Sequence, residues 1–203
     1  MNIIKPKIKY TEKHTFKDNI FNNALFIGNC IDNIKIENVD FDSCIFKNID
    51  FSNIKLKNVN LIDCTFISCD LSNKNFDEKL IERCEFINSK LLGISLINSS
   101  LKDVLIKESI LKYTNFSGLR ITKCIIDNSN LSETNFIEST LKNIIFKNVN
   151  FNKSEFLQTK LEGIDFSTCD IEGLIIDNYS LYGIVIDPLQ SQFIVGNLGV
   201  RFK

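Results

Sequence analysis

Tryptophan is absent from this chain of 203 residues, and histidine and methionine each occur once. With one histidine, His14, the sequence contains no nucleophile–base pair, no metal-ligand cluster and no glycine-rich phosphate-binding loop. We therefore expect no enzymatic activity, no metal and no cofactor. His14 precedes the regular part of the chain, where a solvated or capping role is the simpler interpretation.

Long apolar runs are also missing. No segment approaches the ~20 apolar residues of a membrane span, and the lysine-bearing start has no apolar run long enough for a signal peptide. The seven cysteines form neither a CxxC pattern nor a disulfide framework, which favours reduced thiols. The net charge of −1 demands no nucleic-acid or anionic-membrane partner. These absences predict a cytoplasmic protein that binds neither DNA directly nor a membrane.

Phenylalanine is abundant, and large apolar residues recur at a fixed interval. Every fifth residue from Phe16 to Ile186 is Phe, Leu or Ile, which makes 35 consecutive positions. Neither a helix of period 3.6 nor a strand of period 2 places such a set on one face. The residue two positions earlier is usually small, and the residue two positions later is mostly Asn, Asp, Gly or Ser. Each unit therefore predicts a short extended segment with two inward-pointing residues, followed by a corner.

A second interval, of 20 residues, is carried by cysteine-containing pentapeptides. Residues 44–48 (CIFKN) recur as 64–68 (CTFIS) and 84–88 (CEFIN). Such recurrence indicates a repeat architecture in which Cys44, Cys64, Cys84 and Cys124 form one interior column. A column of thiols can be interpreted as a metal site or a disulfide ladder. Metal ligands converge on a point, however, and free cysteine is among the most buried residues, so small buried side chains are favoured.

This period and its filling resemble the pentapeptide-repeat family over about residues 14 to 188. The resemblance implies an all-β fold, a right-handed quadrilateral β-helix with four pentapeptides per coil, so that residues 20 apart stack. The 35 units correspond to about nine coils and a rod about 40 Å long. We divide the chain into an N-terminal cap segment (1–15), the repeat β-helix (16–187) and a C-terminal dimerisation or capping segment (188–203).

Two lysines depart from the pattern without breaking its frame. Lys74 and Lys79 fall at positions where small inward residues are expected, and burial of an unpaired ammonium is costly. A local bulge with both lysines turned outward is therefore predicted. It is either a recognition protrusion or a tolerated irregularity of the solenoid.

After Ile186 the repeat ends. Asp187 followed by Pro188 predicts a helix start, and Gly196 a stop, so we expect a helix near 188–195 and a short strand over 198–202. The segment is too apolar for a solvated tail. Because an open solenoid end must be capped or paired, it either covers the last coil or joins a second chain.

The ending is similar to that of the Qnr quinolone-resistance proteins, through residues 181–187 (LYGIVID), Gln190 and residues 198–200 (LGV). The resemblance implies a homodimer formed by the C-terminal segment, whose rod mimics duplex DNA and binds the type II topoisomerases DNA gyrase and topoisomerase IV; the mycobacterial MfpA protein is similar. Typical Qnr proteins interrupt their coils with two loops, whereas this frame never breaks. The residues assigned to the dimer contact are Leu189, Phe193, Ile194, Leu198, Val200 and Phe202.

Charge is distributed unevenly along the chain. Residues 127–187 contain ten acidic residues against four lysines, a net charge of −6, whereas residues 89–126 carry a net charge of +4. A DNA mimic needs rows of carboxylates, and the acidic zone adjoins the expected dimer end. The residues assigned to a topoisomerase-facing surface are Asp165, Asp170, Glu172 and Asp177. Polar corners of a plain interaction scaffold with a different partner are the alternative.

Overall fold

The fold is known from a computed structural model of the protein, which describes residues 1–8, 11–28, 34–197 and 199–200. Short strands dominate it, because each extended side of a coil lasts only a few residues before the next corner. They are β1 (Glu12–Lys13), β2 (Ala24–Ile27), β3 (Ile34–Glu37), β4 (Phe41–Asp42), β5 (Ile45–Lys47), β6 (Ile54–Lys57), β7 (Leu61–Ile62), β8 (Thr65–Ile67), β9 (Leu80–Glu82), β10 (Glu85–Ile87), β11 (Ser100–Lys107), β12 (Arg120–Asp127), β13 (Thr140–Lys147), β14 (Glu155–Phe156) and β15 (Ile175–Ile176).

Each coil has four faces, which we number in chain order from the coil of residues 44–63. Face 1 contains β5, face 2 residues 49–52, face 3 β6 and face 4 residues 59–62. All pairing is parallel and joins residues 20 apart. Face 1 pairs Phe46 with Phe66, and face 2 has a bridge between Asp50 and Asp70. Face 3 pairs β3 with β6, and face 4 pairs β7 with β9. This register confirms the predicted quadrilateral β-helix.

The solenoid amounts to about seven turns, against the nine expected from the count of pentapeptides. The difference lies at the ends, where regular ladders give way to other structure. At the start, a 3-10 helix (Phe16–Asp18) precedes β2. At the end, α1 (Asn178–Leu181) replaces a corner of the last coil.

The core is a set of stacked side-chain columns. Phe46 stacks on Phe66 with ring centroids 4.7 Å apart, and Phe136 stacks on Phe156 at 4.6 Å. The cysteines of the 20-residue column, Cys44, Cys64, Cys84 and Cys124, are free and buried. Burial raises the pKa of Cys124 to about 12. The interpretation of this column as small buried side chains is confirmed.

The corners explain the abundance of asparagine and glycine. Many corner residues adopt the left-handed conformation, such as Asn58 with a φ of 56°, which asparagine tolerates better than most residues. Its Nδ2 donates to Asn38 Oδ1 of the previous coil at 2.9 Å. At Gly118, with φ +66°, a Cβ atom would lie 2.2 Å from Asn98 Oδ1. Glycine is required there by conformation and by space.

The irregularity at Lys74 is a break in a ladder and not a projecting loop. Backbone pairing on face 3 is absent between residues 54–57 and 74–77, both fully described, and resumes with the bridge from Asn75 to Ser95. Lys74 is not turned out to solvent as predicted. It is half-buried, and its Nζ donates to Ile54 O at 2.9 Å and to Ser52 O at 3.3 Å. The ammonium occupies the place of missing backbone donors, and Lys79 is half-buried as well.

The N-terminal segment reaches further than the first coil. Strand β1 pairs with β2, and Phe16 stacks on Phe26 at 4.5 Å, so this part closes the first coil. Residues 1–8 instead run along the outside of the rod at the corner between faces 4 and 1. There the amide of Lys7 donates to Asp63 Oδ1 at 2.8 Å, and that of Ile4 donates to Asp103 Oδ1 at 3.0 Å.

At the other end, a 3-10 helix (Pro188–Gln190) leads into α2 (Ser191–Asn197), which confirms the predicted helix. Asp187 is its N-cap and accepts from the amide of Leu189 at 2.9 Å. The strand predicted over 198–202 lies largely outside the described residues. No helix in the described part of the chain combines the length and the apolar character that crossing a bilayer requires.

Candidate interaction site at the C-terminal end of the rod

The four predicted acidic residues all lie in the coil of residues 164–183, but on different faces. Asp165 lies on face 1 and bridges the position of Val185, Asp170 and Glu172 lie on face 2, and Asp177 lies at the end of face 3. Asp165, Asp170 and Glu172 are exposed, and Asp177 is half-buried. The acids therefore encircle one coil and do not form a row along the rod.

Asp170 and Glu172 are the pair that the structure brings together on one face. Asn152 of the previous coil donates from Nδ2 to Asp170 Oδ2 at 2.8 Å, and its Oδ1 accepts from the amide of Glu172 at 3.0 Å. Asn152 thus orients both acids while their carboxylates stay open to solvent. A cationic or hydrogen-bond-donating partner can reach them.

Asp165 is also held in place locally. Its carboxylate accepts from the amide of Ser167 at 2.8 Å. Hydrogen bonds from the Ser167 hydroxyl and amide hold the pKa of Asp165 below its ordinary value. The carboxylate is therefore ionised at neutral pH and adds negative charge to face 1.

Asp177 serves the fold more than the surface. As the N-cap of α1 it accepts from the amide of Ser180 at 2.8 Å, and it accepts from the amide and Nε2 of Gln158 at 2.9 and 2.8 Å. Burial acts to raise the pKa of Asp177, but these hydrogen bonds outweigh it and lower the pKa. Its lone pairs are largely occupied, which leaves little for a partner.

The residues predicted for a dimer contact separate into two groups. Leu189 is 81% exposed and Val200 is 50% exposed, so both are open to a partner. Ile194 is 7% exposed and belongs to the hydrophobic core, with Phe193 packed against it. Ile194 therefore caps the rod of its own chain and is not free for a contact as predicted. Leu198 and Phe202 lie outside the described residues.

Exposed aromatic residues near this end were missed at the sequence stage of reasoning. Tyr182 is 72% exposed and Tyr179 is 55% exposed, and Val185 is 45% exposed beside them. Tyr182 follows the inward Leu181, so its position in the pentapeptide unit already indicated an outward side chain. With Leu189 and Val200 they form what we call the apolar end, which adjoins the acidic coil.

The described residues contain no group of three or more His, Cys, Asp or Glu side chains that could hold a metal ion. Most of their buried side chains belong to the stacked columns of the core. The chemistry that remains at this end is surface recognition by charge and by apolar contact.

Family models account for most of the coils. A model described as "Pentapeptide repeat region" matches residues 59–136 and 107–176, and one described as "Pentapeptide repeats (8 copies)" matches residues 34–73. This chain belongs to the pentapeptide-repeat family. Repeat solenoids of this family are generally structural or interaction proteins.

Several solved structures of pentapeptide-repeat proteins resemble this one. A trypsin-treated form of QnrB1, "a plasmid-mediated fluoroquinolone resistance protein", has a TM-score of 0.42 at 19% identity, with 100% of this chain and 95% of that chain covered. HetL from the cyanobacterium Nostoc sp. strain PCC 7120 has a TM-score of 0.31 at 12% identity, with 88% and 92% covered. Likenesses of this size carry no inference about function. A search of the curated proteins finds no match.

Proposed function

We propose that this pentapeptide-repeat protein is a Qnr-like, non-enzymatic DNA mimic that binds DNA gyrase or topoisomerase IV and confers quinolone resistance. The supporting observation is the position of exposed Asp165, Asp170 and Glu172 directly beside the apolar end. A head-to-head dimer through that end would bring two acidic coils together at its centre. Negative charge presented on a rod is what a DNA-binding groove recognises.

The proposed dimer rests on the apolar end. Monomeric proteins rarely expose adjoining apolar side chains without an interaction role, and Leu189, Tyr182 and Val185 are all open to solvent. Because the rest of the C-terminal segment caps its own coil, the contact would use the outer side of this segment. A cytoplasmic location, where topoisomerases meet DNA and where thiols stay reduced, is part of the same proposal.

The function is tested with a supercoiling assay of purified gyrase, with and without a quinolone. We expect inhibition or drug protection at micromolar protein, and the variant Asp170→Lys/Glu172→Lys should need about tenfold more protein, about 1.4 kcal/mol. Asp42→Lys, an exposed acid near the opposite end, is the matched control. The proposal is rejected if the wild-type protein neither inhibits nor protects.

The dimer has its own test, by light scattering after size-exclusion chromatography. We expect a dimer for the wild type and a monomer for Tyr182→Glu/Leu189→Glu, while Ile110→Glu, an exposed apolar residue far from this end, stays dimeric. Point variants are preferable to truncation after Asp187, because truncation removes the capping residues Gln190 and Ile194. A monomeric wild type, or a dimeric double variant, contradicts the proposed contact.

A scaffold that binds a different protein is the second candidate. The observation that favours it is the distribution of the acids over three faces of one coil, since a mimic of duplex DNA needs acids repeated along the rod. The two candidates differ in the gyrase assay. A folded, dimeric protein without effect on gyrase supports the scaffold, whereas loss of inhibition in Asp170→Lys/Glu172→Lys contradicts it.

A further inference from the structure

Strand β13 has one unpaired edge. On one side it pairs with β12 over seven residue pairs, among them Ile121 with Leu141 and Ile126 with Phe146. On its other side, where residues 160–167 of the next coil lie, no backbone hydrogen bond is present, although both segments are fully described. The amide of Asn148 donates to the Thr168 hydroxyl at 3.1 Å in place of a carbonyl.

This opening is local. The coils are joined just before it, where the amide of Glu138 donates to Leu157 O at 2.9 Å, and just after it, where the amide of Phe151 donates to Asp170 O at 2.7 Å. On face 1 the rings of Phe146 and Phe166 remain 5.4 Å apart. The widest part of the opening is therefore on face 4, beside residues 140–143.

A groove of about 420 Å³ lies at that place, lined among others by Thr140, Leu141, Gln158 and Tyr179. Its size is within the range of ligand-binding clefts. Leu141 is only half-buried, whereas Ile121 and Leu161, its neighbours in the same column, are 1% and 0% exposed. The groove thus exposes backbone and part of one core side chain together.

The free backbone groups can be identified from the other coils. On face 4 the amide of Phe41 donates to Asn60 O at 3.0 Å, and at the following corner the amide of Asp63 donates to Glu82 O at 2.9 Å. The equivalent amides in β13 are those of Leu141 and Asn143, and both lack the corresponding bond. A strand edge with free donors and acceptors accepts an added strand.

Charge at the groove favours an acidic occupant. Lys142 and Lys147 are exposed on β13, and within the described part of the chain neither forms an ion pair. Lys160 pairs with Glu162 at 2.7 Å, so these two compensate one another. The uncompensated charge beside the open edge is therefore positive.

We propose that the open edge of β13 is a docking site for an extended acidic segment of a partner protein, which adds a short strand alongside residues 140–143. The added segment accepts from the free amides of Leu141 and Asn143, while its carboxylates meet Lys142 and Lys147. This site is separate from the acidic coil and the apolar end, and it does not depend on the proposed topoisomerase binding.

The probe is a fluorescent eight-residue peptide of alternating glutamate and valine, titrated into the full-length protein. The control peptide alternates lysine and valine. We expect the acidic peptide to bind at least ~10-fold more tightly than the control, and Lys142→Glu/Lys147→Glu to weaken it by a similar factor. Lys55→Glu, an exposed lysine on a distant coil, should bind it as the wild type does.

Two further measurements separate strand addition from simple charge attraction. Hydrogen exchange should be fast at the amides of Leu141 and Asn143 and should slow when the acidic peptide is added. Leu141→Pro removes one free donor and should weaken binding about fivefold, with circular dichroism checking the fold. The proposal is overturned if the acidic peptide binds no better than the lysine control, if exchange at these amides does not slow, or if a single-stranded oligonucleotide binds equally well.

Discussion

Gln190 donates from Nε2 to the carbonyl oxygen of Cys169 at 2.6 Å, and so joins the C-terminal segment to the last coil. The same nitrogen donates to Phe166 O at 2.9 Å, and Gln190 Oε1 accepts from the amide of Asp187 at 2.7 Å. The last coil of a solenoid has no following coil to pair with its carbonyl groups. One buried side chain supplies part of that pairing.

We therefore expect Gln190→Ala to destabilise the protein by about 2–3 kcal/mol, because it leaves buried carbonyl groups without a donor. Urea unfolding followed by circular dichroism measures the change. Gln192→Ala, at an exposed position two residues later, should cost less than about 0.5 kcal/mol. Equal stability of the two variants would contradict the capping role.

The ion pair between Asp63 and Arg83 should make stability depend on pH. Arg83 donates from Nε and Nη2 to Asp63, each at 2.7 Å. Burial acts to raise the pKa of Asp63, but hydrogen bonds from Arg83 and from the Lys7 amide outweigh it, and the pKa is lowered. A lowered folded-state pKa gives stability that is present above the ordinary value of about 3.9 and is lost as the pH falls through the folded-state value.

Asp63→Asn should accordingly cost about 1–3 kcal/mol at pH 7, and the difference from the wild type should shrink as the pH falls below about 4. Urea unfolding at a series of pH values measures this difference. The exposed Asp42→Asn serves as control and should show a small difference throughout. A deficit in Asp63→Asn that stays constant down to pH 2 would disprove the coupling.

The interior cysteines should be unreactive in the native protein. Burial raises the pKa of Cys69 to about 11, and the pKa of Cys64 is also raised, first of all by burial. Because the thiolate is the reacting form, iodoacetamide at pH 8 should modify Cys64 and Cys84 only in denaturant, as measured by peptide mass spectrometry. Rapid native labelling of Cys64 would show that the coil opens in solution.

Stacked phenylalanines should tolerate leucine better than alanine. Phe136 lies between Phe116 and Phe156 at centroid distances of 4.5 and 4.6 Å, and Leu96 occupies the same column in another coil. We expect Phe136→Ala to cost about 3–5 kcal/mol and Phe136→Leu about 1–2 kcal/mol. Thermal unfolding measures both, with the exposed Ile110→Ala as control. Equal losses for the two variants would mean that the column does not adapt to a smaller side chain.

The coil register could be read from the sequence because the solenoid repeats one local environment. Each inward position meets the same position 20 residues away, so a period of five in Phe, Leu and Ile and a period of 20 in the Cys44 column specify every neighbour. The helix after Asp187 was predictable for a similar reason, since an N-cap followed by proline is a local signal. The outward position of Tyr182 was available from the same register.

Contacts between separate segments were not predictable in this way. Nothing in residues 1–8 shows that Ile4 and Lys7 bond to Asp103 and Asp63, because those bonds depend on where the segment crosses the coils. The inward packing of Ile194 likewise depends on the angle at which α2 leaves the last coil, which the apolar character of the segment does not specify.

The sequence by itself therefore determined the family, the four-sided coil and the identity of its core columns, because all of these follow from nearest-neighbour stacking at a constant interval. Only the tertiary structure decided how the two ends are closed, how the acids divide among the faces and where the ladder opens at Lys74 and along β13. These features depend on small differences in spacing between successive coils, which a five-residue pattern leaves unchanged.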